Sequence, residues 1–316
     1  MIEIVNTAPL LTVQDTGRFG NRHLGIPRCG MMDSLALQRA NLLLGNTVDA
    51  AGLEISAAPV TIRSLQDHSM VLMGSDMQAS VNAQAVLPGV PFTLSPGDVL
   101  TLTRPRRPGE RAVLAVAGGI EVPMKFASRS TDLNNRFGGF QGRALKSGDL
   151  LEVGALSAEN ISRCKMSRSI RQLTPDRILR IIPGPDIQYF STRAQDTLFQ
   201  NQWWLTPQSN RMGLRLEGAT LAVPAEHLRL SCGVLPGQIQ VPASGQPVIL
   251  ANDAQSTGGY PVIASVINAD LWKLAYLTPG DPFVFREVSV AEAQGLAAAQ
   301  AMELQKLRQY LSWGQT

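Results

Sequence analysis

The chain has 316 residues, of which 44% are hydrophobic and 17% are charged, and its formal net charge is +3. This length favours two domains, and the composition is typical of packed globular proteins and excludes a disordered chain. We find no apolar stretch long enough to cross a bilayer and no signal peptide, so we expect a cytoplasmic protein with no membrane partner. The basic residues are spread along the chain, which argues against nucleic acid as a partner.

Short apolar runs separated by glycine and proline dominate the chain. Examples are Val71-Leu72-Met73 and Pro247-Val248-Ile249-Leu250, and the whole sequence holds 28 Gly and 20 Pro. Such punctuation predicts many short strands joined by turns, and hence a mainly β protein built from barrels or sandwiches.

Two helices interrupt this pattern. The first should begin after Asp33, a good N-cap, and end at Gly45-Asn46, which is typical of a left-handed helix exit. A catalytic role for Asp33 is the lesser alternative. The second should begin at Ser289, since Glu292 completes a capping box, and it forms the C-terminal segment.

An internal repeat relates the two halves of the chain. Its three paired segments occur in the same order in both halves, and the middle pair carries an Asp-x-Gln signature. The pairs are 53–62 with 216–223, 71–78 with 249–255, and 95–98 with 278–281. The repeat predicts a β domain at 1–155, a linker at 156–177, a second β domain at 178–287 and a C-terminal helix at 288–316.

The cysteines and histidines show no metal signature. The chain has three of each, namely Cys29, Cys164, Cys232, His23, His68 and His227. The cysteines lack the paired spacing of a zinc site or redox motif, and the histidines lie far apart. We therefore predict reduced thiols and no metal site.

Polar clusters in the first half are candidates for substrate binding. One holds Gln14, Asp15 and Arg18, with His23 shortly after it. Asp15 could instead hold Arg18 to fix the loop. The other holds Arg129, Ser130 and Thr131 close to Gly138 and Gly139, and hydroxyls beside exposed amides suit a carboxylate or phosphate. A turn with side-chain caps is the alternative.

The second half holds the densest cluster. Asp253, Gln255, Thr257 and Tyr260 follow an apolar strand and surround the pair Gly258-Gly259. A carboxylate, an amide, a hydroxyl and a phenol together can polarise or orient a small amide. The matching Asp76 and Gln78 leave open that the pair is a device of the fold.

Arginines add an anion-binding element to this half of the chain. Arg211 and Arg215 would face the same way if they lie on one strand, although a surface ion-pair role remains open.

At these clusters the sequence resembles the allophanate hydrolase subunit 2 family, also called the biotin-dependent carboxyltransferase family. The resemblance covers nearly all of the chain before the last helix. The matching segments are 12–18 (TVQDTGR), 30–33 (GMMD), 40–41, 45–46, 53–55, 115–120 (AVAGGI), 128–131, 138–143 (GGFQGR), 183–185 (PGP), 211–216, 235–242 (LPGQIQVP) and 253–261 (DAQSTGGYP).

The resemblance implies two tandem cyclophilin-like β-barrel domains and membership of an enzyme complex. It implies direct pairing with the B subunit of a 5-oxoprolinase, and a separate A subunit, in a complex that uses ATP to open 5-oxoproline to glutamate. It implies no biotin on this chain. Related proteins suggest two alternatives: a component that transfers carboxyl from biotin to urea, or a regulatory module that antagonises an inhibitor of a histidine kinase.

We assign residue roles on this basis as expectations. Asp253, Gln255, Thr257 and Tyr260 would bind or polarise the amide. Arg18, Arg129 and Arg211 would hold a carboxylate or phosphate. Gln14, Asp15, His23, Ser130 and Thr131 would complete the substrate contacts.

Overall fold

The structure is a computed structural model that describes residues 1–105, 110–155, 170, 173–223 and 230–312. The chain divides into two compact units. Unit 1 comprises Met1–Arg18, Cys29–Thr174 and Met302–Thr316, and unit 2 comprises Phe19–Arg28 and Pro175–Ala301. The division at 174/175 falls inside the predicted linker, most of which lies outside the described residues, as do Cys164 and His227. The predicted domain bounds stay a prediction.

Unit 1 contains twelve strands in two sheets among the residues described. The strands are β1 (Ile2–Thr7), β2 (Leu11–Gln14), β3 (Gly52–Ile55), β4 (Val60–Ser64), β5 (His68–Gly74), β6 (Ala79–Val81), β7 (Gln84–Ala85), β8 (Phe92–Leu94), β9 (Val99–Leu102), β10 (Ala112–Val116), β11 (Ile120–Glu121) and β12 (Leu150–Val153). Their orders are β11-β12-β1-β4-β9-β6-β7 and β2-β3-β10-β5-β8.

The centre of the smaller sheet is buried on both faces, which explains the unbroken apolar runs of β5 and β10. On β5, Met70 and Leu72 join the core between the two sheets. The alternate residues Val71 and Met73 pack instead with a cluster that includes Leu37 of the helix α1 (Ser34–Leu43). Leu311 packs against the same cluster.

The predicted first helix is confirmed at both ends. Asp33 Oδ1 accepts a hydrogen bond from the Ala36 amide at 2.8 Å, so this carboxylate is the N-cap of α1. Gly45 follows the helix with a φ of 70°, in the left-handed region where glycine carries no steric penalty.

Unit 2 is built on one seven-stranded sheet in the order β14-β15-β18-β17-β20-β13-β21, and β16 pairs with β19. The strands are β13 (Ile178–Pro183), β14 (Trp204–Leu205), β15 (Gly213–Glu217), β16 (Cys232–Gly233), β17 (Gln238–Gln240), β18 (Val248–Leu250), β19 (Thr257–Gly258), β20 (Val262–Val266) and β21 (Val284–Glu287). The helical segments are the 3₁₀ turns Arg22–Leu24, Ile187–Tyr189 and Asn268–Tyr276 and the helix α2 (Thr192–Gln200).

Strand β15 shows how this sheet separates core from surface. Leu214 and Leu216 are buried, whereas Arg215 and Glu217 are exposed, as a period of two requires. In register with Leu214 lie Ile249 of β18 and, one strand further, Ile239 of β17, and all three are buried. The core therefore lies on one face of β15, and polar groups lie on the other.

The predicted C-terminal helix is α3 (Val290–Ser312). Ser289 Oγ accepts from the Glu292 amide at 3.1 Å, in agreement with the predicted cap. Leu296 packs against the buried residues Ile267 and Val288. No helix among the described residues is both long and apolar enough to cross a membrane.

The mainly β prediction with a C-terminal helix is confirmed, but the repeat holds only in part. Its Pro-Gly-Asp turns form in both units, and Asp98 caps its own turn by accepting from the Ser95 amide at 2.8 Å. Residues 220–223, which the repeat matches to part of β4, form no strand. The matched strands β9 and β21 also pair differently, antiparallel with β4 and parallel with β13.

Candidate functional site

The polar cluster of unit 1 is directed inward. Asp15 is 6% exposed, and Ser128 Oγ, Ser130 Oγ and the Arg129 amide all donate to its carboxylate. The Gly17 amide adds a fourth hydrogen bond at 2.8 Å. Asp15 thus holds the segment 128–131 against the end of β2 rather than holding Arg18.

Gln14 and Thr131 also form hydrogen bonds to backbone groups inside unit 1. Gln14 is fully buried, donates to the Thr131 carbonyl at 3.2 Å and accepts from the Gly30 amide at 3.1 Å. Thr131 Oγ1 donates to the Val13 carbonyl at 2.9 Å. Their side-chain polar atoms are therefore engaged inside the protein, which favours a structural role.

The predicted cations of unit 1 also have partners. Arg18 is 1% exposed, donates to the carbonyls of Lys125 and Ser130, and lies 4.6 Å above the Phe137 ring. Arg129 forms an ion pair with Glu121 at 2.7 Å. Both guanidinium groups are thus bonded within the protein, and their role in holding a carboxylate or phosphate stays a prediction.

In unit 2, Asp253 and Arg211 form a buried bidentate ion pair. Arg211 donates from Nε and Nη2 to the two carboxylate oxygens at 2.9 and 2.8 Å, and both side chains are at most 7% exposed. The Asp253 amide also donates to the Arg211 carbonyl at 2.8 Å. This pair fixes the turn after β18, and both oxygens of Asp253 are occupied.

A cavity of about 870 Å³ opens beside this turn. Its lining brings together polar residues from the strands β15 and β17 and from loops, all within unit 2. The polar lining residues are Thr206, Gln208, Asn210, Arg215, Glu217, Gln240, Ser244, Gln246, Gln255 and Tyr260. Of the four predicted catalytic residues, Gln255 and Tyr260 line the cavity, whereas Asp253 and Thr257 do not.

The register of β15, β18 and β17 places Arg215 and Gln240 in one row across the sheet, in the cavity lining. Arg215 and Gln240 are both in register with Val248, from the two sides of β18. Residues opposite one another point to the same face of a sheet, and neighbouring strands lie about 4.8 Å apart. Arg215 and Gln240 thus flank one strand at a separation that a small molecule can bridge.

Three polar side chains in this lining have unused hydrogen-bonding capacity. Gln240 is 2% exposed, and the only hydrogen bond of its side chain to a described residue runs from Nε2 to the Tyr260 carbonyl at 3.4 Å. Thr206 Oγ1 and Gln246 Oε1 are buried and have no partner among the described residues. Because burying unpaired polar atoms is costly, these groups indicate a polar ligand or ordered water.

The position of Gln255 is set by Arg22. Arg22 Nη2 donates to the carbonyls of Val234 and Gln255, each at 2.6 Å. The predicted contact residue His23 is exposed instead and makes no hydrogen bond to a described residue. Thr257 lies on β19, opposite Gly233 of β16.

The cavity can therefore bind a small molecule that carries both an amide and an anion. A glutamine amide can donate and accept at once, and the Arg215 guanidinium, which has no acidic partner among the described residues, suits a carboxylate. Sequence reasoning missed Gln240 as a site residue. Its signal was the alternation of amide and apolar side chains in the segment 238–241, which reads Gln-Ile-Gln-Val.

Comparison with known proteins shows extensive similarity. The family described as carboxyltransferase domain, subdomain A and B, matches residues 24–287. The chain is 41% identical to the C subunit of 5-oxoprolinase from Escherichia coli (strain K12), covering 99% of this chain and 98% of that protein. It is 36% identical to the C subunit of 5-oxoprolinase from Haemophilus influenzae, covering 98% of both. A crystal structure of Kluyveromyces lactis urea carboxylase matches 97% of this chain and 29% of that one, with 26% identity and a TM-score of 0.86.

Proposed function

Because this chain belongs to the carboxyltransferase domain family, subdomain A and B, we propose that it is the C subunit of a 5-oxoprolinase. This enzyme opens 5-oxoproline to glutamate at the expense of ATP, and the partners of this chain are the A and B subunits. The observation that carries the proposal is the cavity of unit 2, whose free polar groups match the substrate group by group.

The substrate offers three recognition elements. Its lactam has an N–H that donates and a carbonyl that accepts, and its carboxylate is an anion. Gln240 and Gln255 supply amides that can pair with both ends of the lactam, and Tyr260 supplies a phenol. Arg215 supplies the cation for the carboxylate.

We propose a positioning role for Asp253 in place of the substrate contact expected from the sequence. Its oxygens are occupied by Arg211, so we assign both residues to positioning the loop that carries Gln255 and Tyr260. Breaking such a buried pair typically costs about 3–5 kcal/mol of stability, so an effect of Asp253→Ala on activity would not by itself identify a catalytic group. We retain the proposal that Thr257 binds or polarises the amide of the substrate.

We assign a structural role to the polar cluster of unit 1. Gln14, Asp15, Ser130 and Thr131 hold two segments of backbone together through their side-chain hydrogen bonds. ATP use is proposed as a property of the complex.

The test is glutamate release by a mixture of this chain with the A and B subunits. Arg215→Gln should raise the KM for 5-oxoproline about ten- to hundredfold, since a hydrogen bond to a charged group is worth about 1.5–3 kcal/mol. Arg193→Gln is the matched control, because Arg193 is exposed on α2 and does not line the cavity. It should leave KM unchanged.

An unchanged KM in Arg215→Gln would remove the carboxylate contact from the proposal. Undiminished glutamate release when this chain is omitted from the mixture would refute the proposed function as a whole. Omission also separates a component of the enzyme from a regulatory module, which does not contribute to turnover.

A second candidate is favoured by the likeness to urea carboxylase. In that case the cavity would hold an amide acceptor for carboxyl transfer from biotin. Urea has no carboxylate, so Arg215→Gln should then affect KM little. Inhibition of turnover by avidin would support carboxyl transfer, and insensitivity to avidin would exclude it.

A further inference from the structure

We propose that unit 1 contains an oxyanion-binding site, formed by the backbone amides of residues 138–141 together with Lys125 and Arg136. This site does not depend on the function proposed for unit 2. Its ligand class is a phosphate or carboxylate group carried on a small, partly apolar molecule.

The site is a cavity of about 610 Å³. The loop 136–142 forms one wall, and residues at and near β11 and β12 complete it. The lining residues are Glu121, Val122, Pro123, Lys125, Leu150, Glu152 and the seven residues of the loop.

Four successive amides of this loop have no acceptor. The N–H groups of Gly138, Gly139, Phe140 and Gln141 donate to no described residue, although the loop is closed by a bond from the Gly142 amide to the Gly138 carbonyl at 2.8 Å. Gly138 and Gly139 are also buried. Buried N–H groups are almost always paired, so the unpaired amides of Gly138 and Gly139 beside a cavity indicate a ligand that accepts hydrogen bonds.

The backbone conformation explains why the amides are free. Arg136, Gly138, Gly139 and Gln141 all have positive φ, at 55°, 66°, 50° and 57°. Successive amides in such turns form a concave nest that binds anions. Two of these residues carry side chains, and left-handed conformations of non-glycine residues cluster at ligand sites.

The charges around the nest favour an anion. Lys125 and Arg136 line the cavity, and their side chains have no partner among the described residues. Of the two acidic residues in the lining, Glu121 is already paired with Arg129 at 2.7 Å, which leaves Glu152 as the opposing charge.

Arg18 adds a buried positive charge next to Gly138 of the nest. Its Nη1 is buried without a partner among the described residues, and its ring contact is with Phe137 of the cavity wall. A side chain at Gly138 would overlap Arg18, and a side chain at Gly139 would overlap Thr131. The residues that the sequence suggested as anion ligands thus support the nest, and the amides are the donors.

Apolar residues define the rest of the ligand. Phe137, Phe140, Val122 and Leu150 line the same cavity, and Leu150 is 47% exposed. A bare inorganic ion would leave this surface in water, whereas a phosphate or carboxylate on an organic body would cover it.

The test is a titration of the full chain, labelled with ¹⁵N at glycine, followed by NMR. Inorganic phosphate should shift the Gly138 and Gly139 amide resonances saturably, whereas Gly20 and Gly97, which have open surroundings, should not move. Acetate is the second arm: tighter binding of phosphate identifies a phosphoryl ligand, and tighter binding of acetate identifies a carboxylate. If neither anion shifts Gly138 or Gly139, the proposal is overturned.

Charge variants provide an independent measurement. The double variant Lys125→Gln, Arg136→Gln should weaken binding of the preferred anion at least tenfold, because it removes two charged donors. Arg308→Gln, on the exposed face of α3, should bind like the wild type. Equal affinity in the double variant and the wild type would contradict the proposed role of the cations. Dispersed glycine resonances in each variant verify the fold.

Discussion

Gly258 leaves the space in which the Gln240 amide lies. A Cβ atom at position 258 would be 2.8 Å from Gln240 Nε2. The φ of Gly258 is not in the left-handed region, so alanine can adopt its backbone conformation. The clash involves the end of a flexible side chain, which can move.

Gly258→Ala should therefore fold but displace the Gln240 amide. We expect the KM for 5-oxoproline to rise roughly three- to tenfold in the assay with all three components, as for the loss of one neutral hydrogen bond. Gly233→Ala is the matched control, since Gly233 lies on the partner strand β16 and has open space at its Cβ position. A wild-type KM in Gly258→Ala would argue against Gln240 as a substrate contact.

Elements could be predicted from the sequence where a local signal decides them. The caps at Asp33 and Ser289 and the Pro-Gly-Asp turns depend on residues within four positions of each other, and all formed as expected. The apolar strand at 71–73 was also predictable, although its burial between a sheet and a helix was not.

Pairing between distant elements could not be predicted. Arg211 and Arg215 would face the same way only if both lay on one strand. Arg211 instead precedes β15 and pairs with Asp253, whereas Arg215 lies on the strand and lines the cavity. Nothing in the sequence near Arg211 or Asp253 indicates that the two residues, 42 positions apart, form a pair. For the same reason, the sequence does not identify Gln240 as part of the site, although Gln240 lies in a segment that matches the family.

The cap of α1 gives a prediction at the scale of one element. Asp33→Ala should lower the free energy of unfolding by about 1 kcal/mol, because the Ala36 amide loses its acceptor. Asp33→Asn should be close to the wild type, since asparagine caps equally well. Urea denaturation measures both variants. Loss of glutamate release in Asp33→Asn without loss of stability would point instead to a catalytic carboxylate.

For the whole molecule, His68 links stability to pH. It is 8% exposed, at the start of β5, and its Nε2 is 3.2 Å from the amino group of Met1. Burial, followed by the charge of that amino group, lowers the pKa of His68 below its usual range. Between the lowered pKa and the ordinary one of about 6.5, the unfolded chain is protonated and the folded protein is not.

Stability should therefore fall as the pH is lowered through about 6.5, because the unfolded state then binds more protons than the folded one. We expect the free energy of unfolding to fall more steeply in the wild type than in His68→Gln between neutral and mildly acidic pH. Urea denaturation across this range measures the difference. His23→Gln is the control, since His23 is exposed. Identical slopes in the wild type and His68→Gln would contradict the prediction.

The segment 19–28 has a consequence for the timing of biosynthesis. It belongs to unit 2, although residues on both sides of it belong to unit 1. The carbonyls that Arg22 binds lie 212 and 233 positions later in the chain. At about 5–20 residues per second, the ribosome needs roughly 10 to 50 s to supply them. Throughout that interval Phe19 and Leu24 have been synthesised, but the rest of unit 2 has not. The contacts between Arg22 and the backbone around Gln255 are therefore among the last of the nascent protein to form.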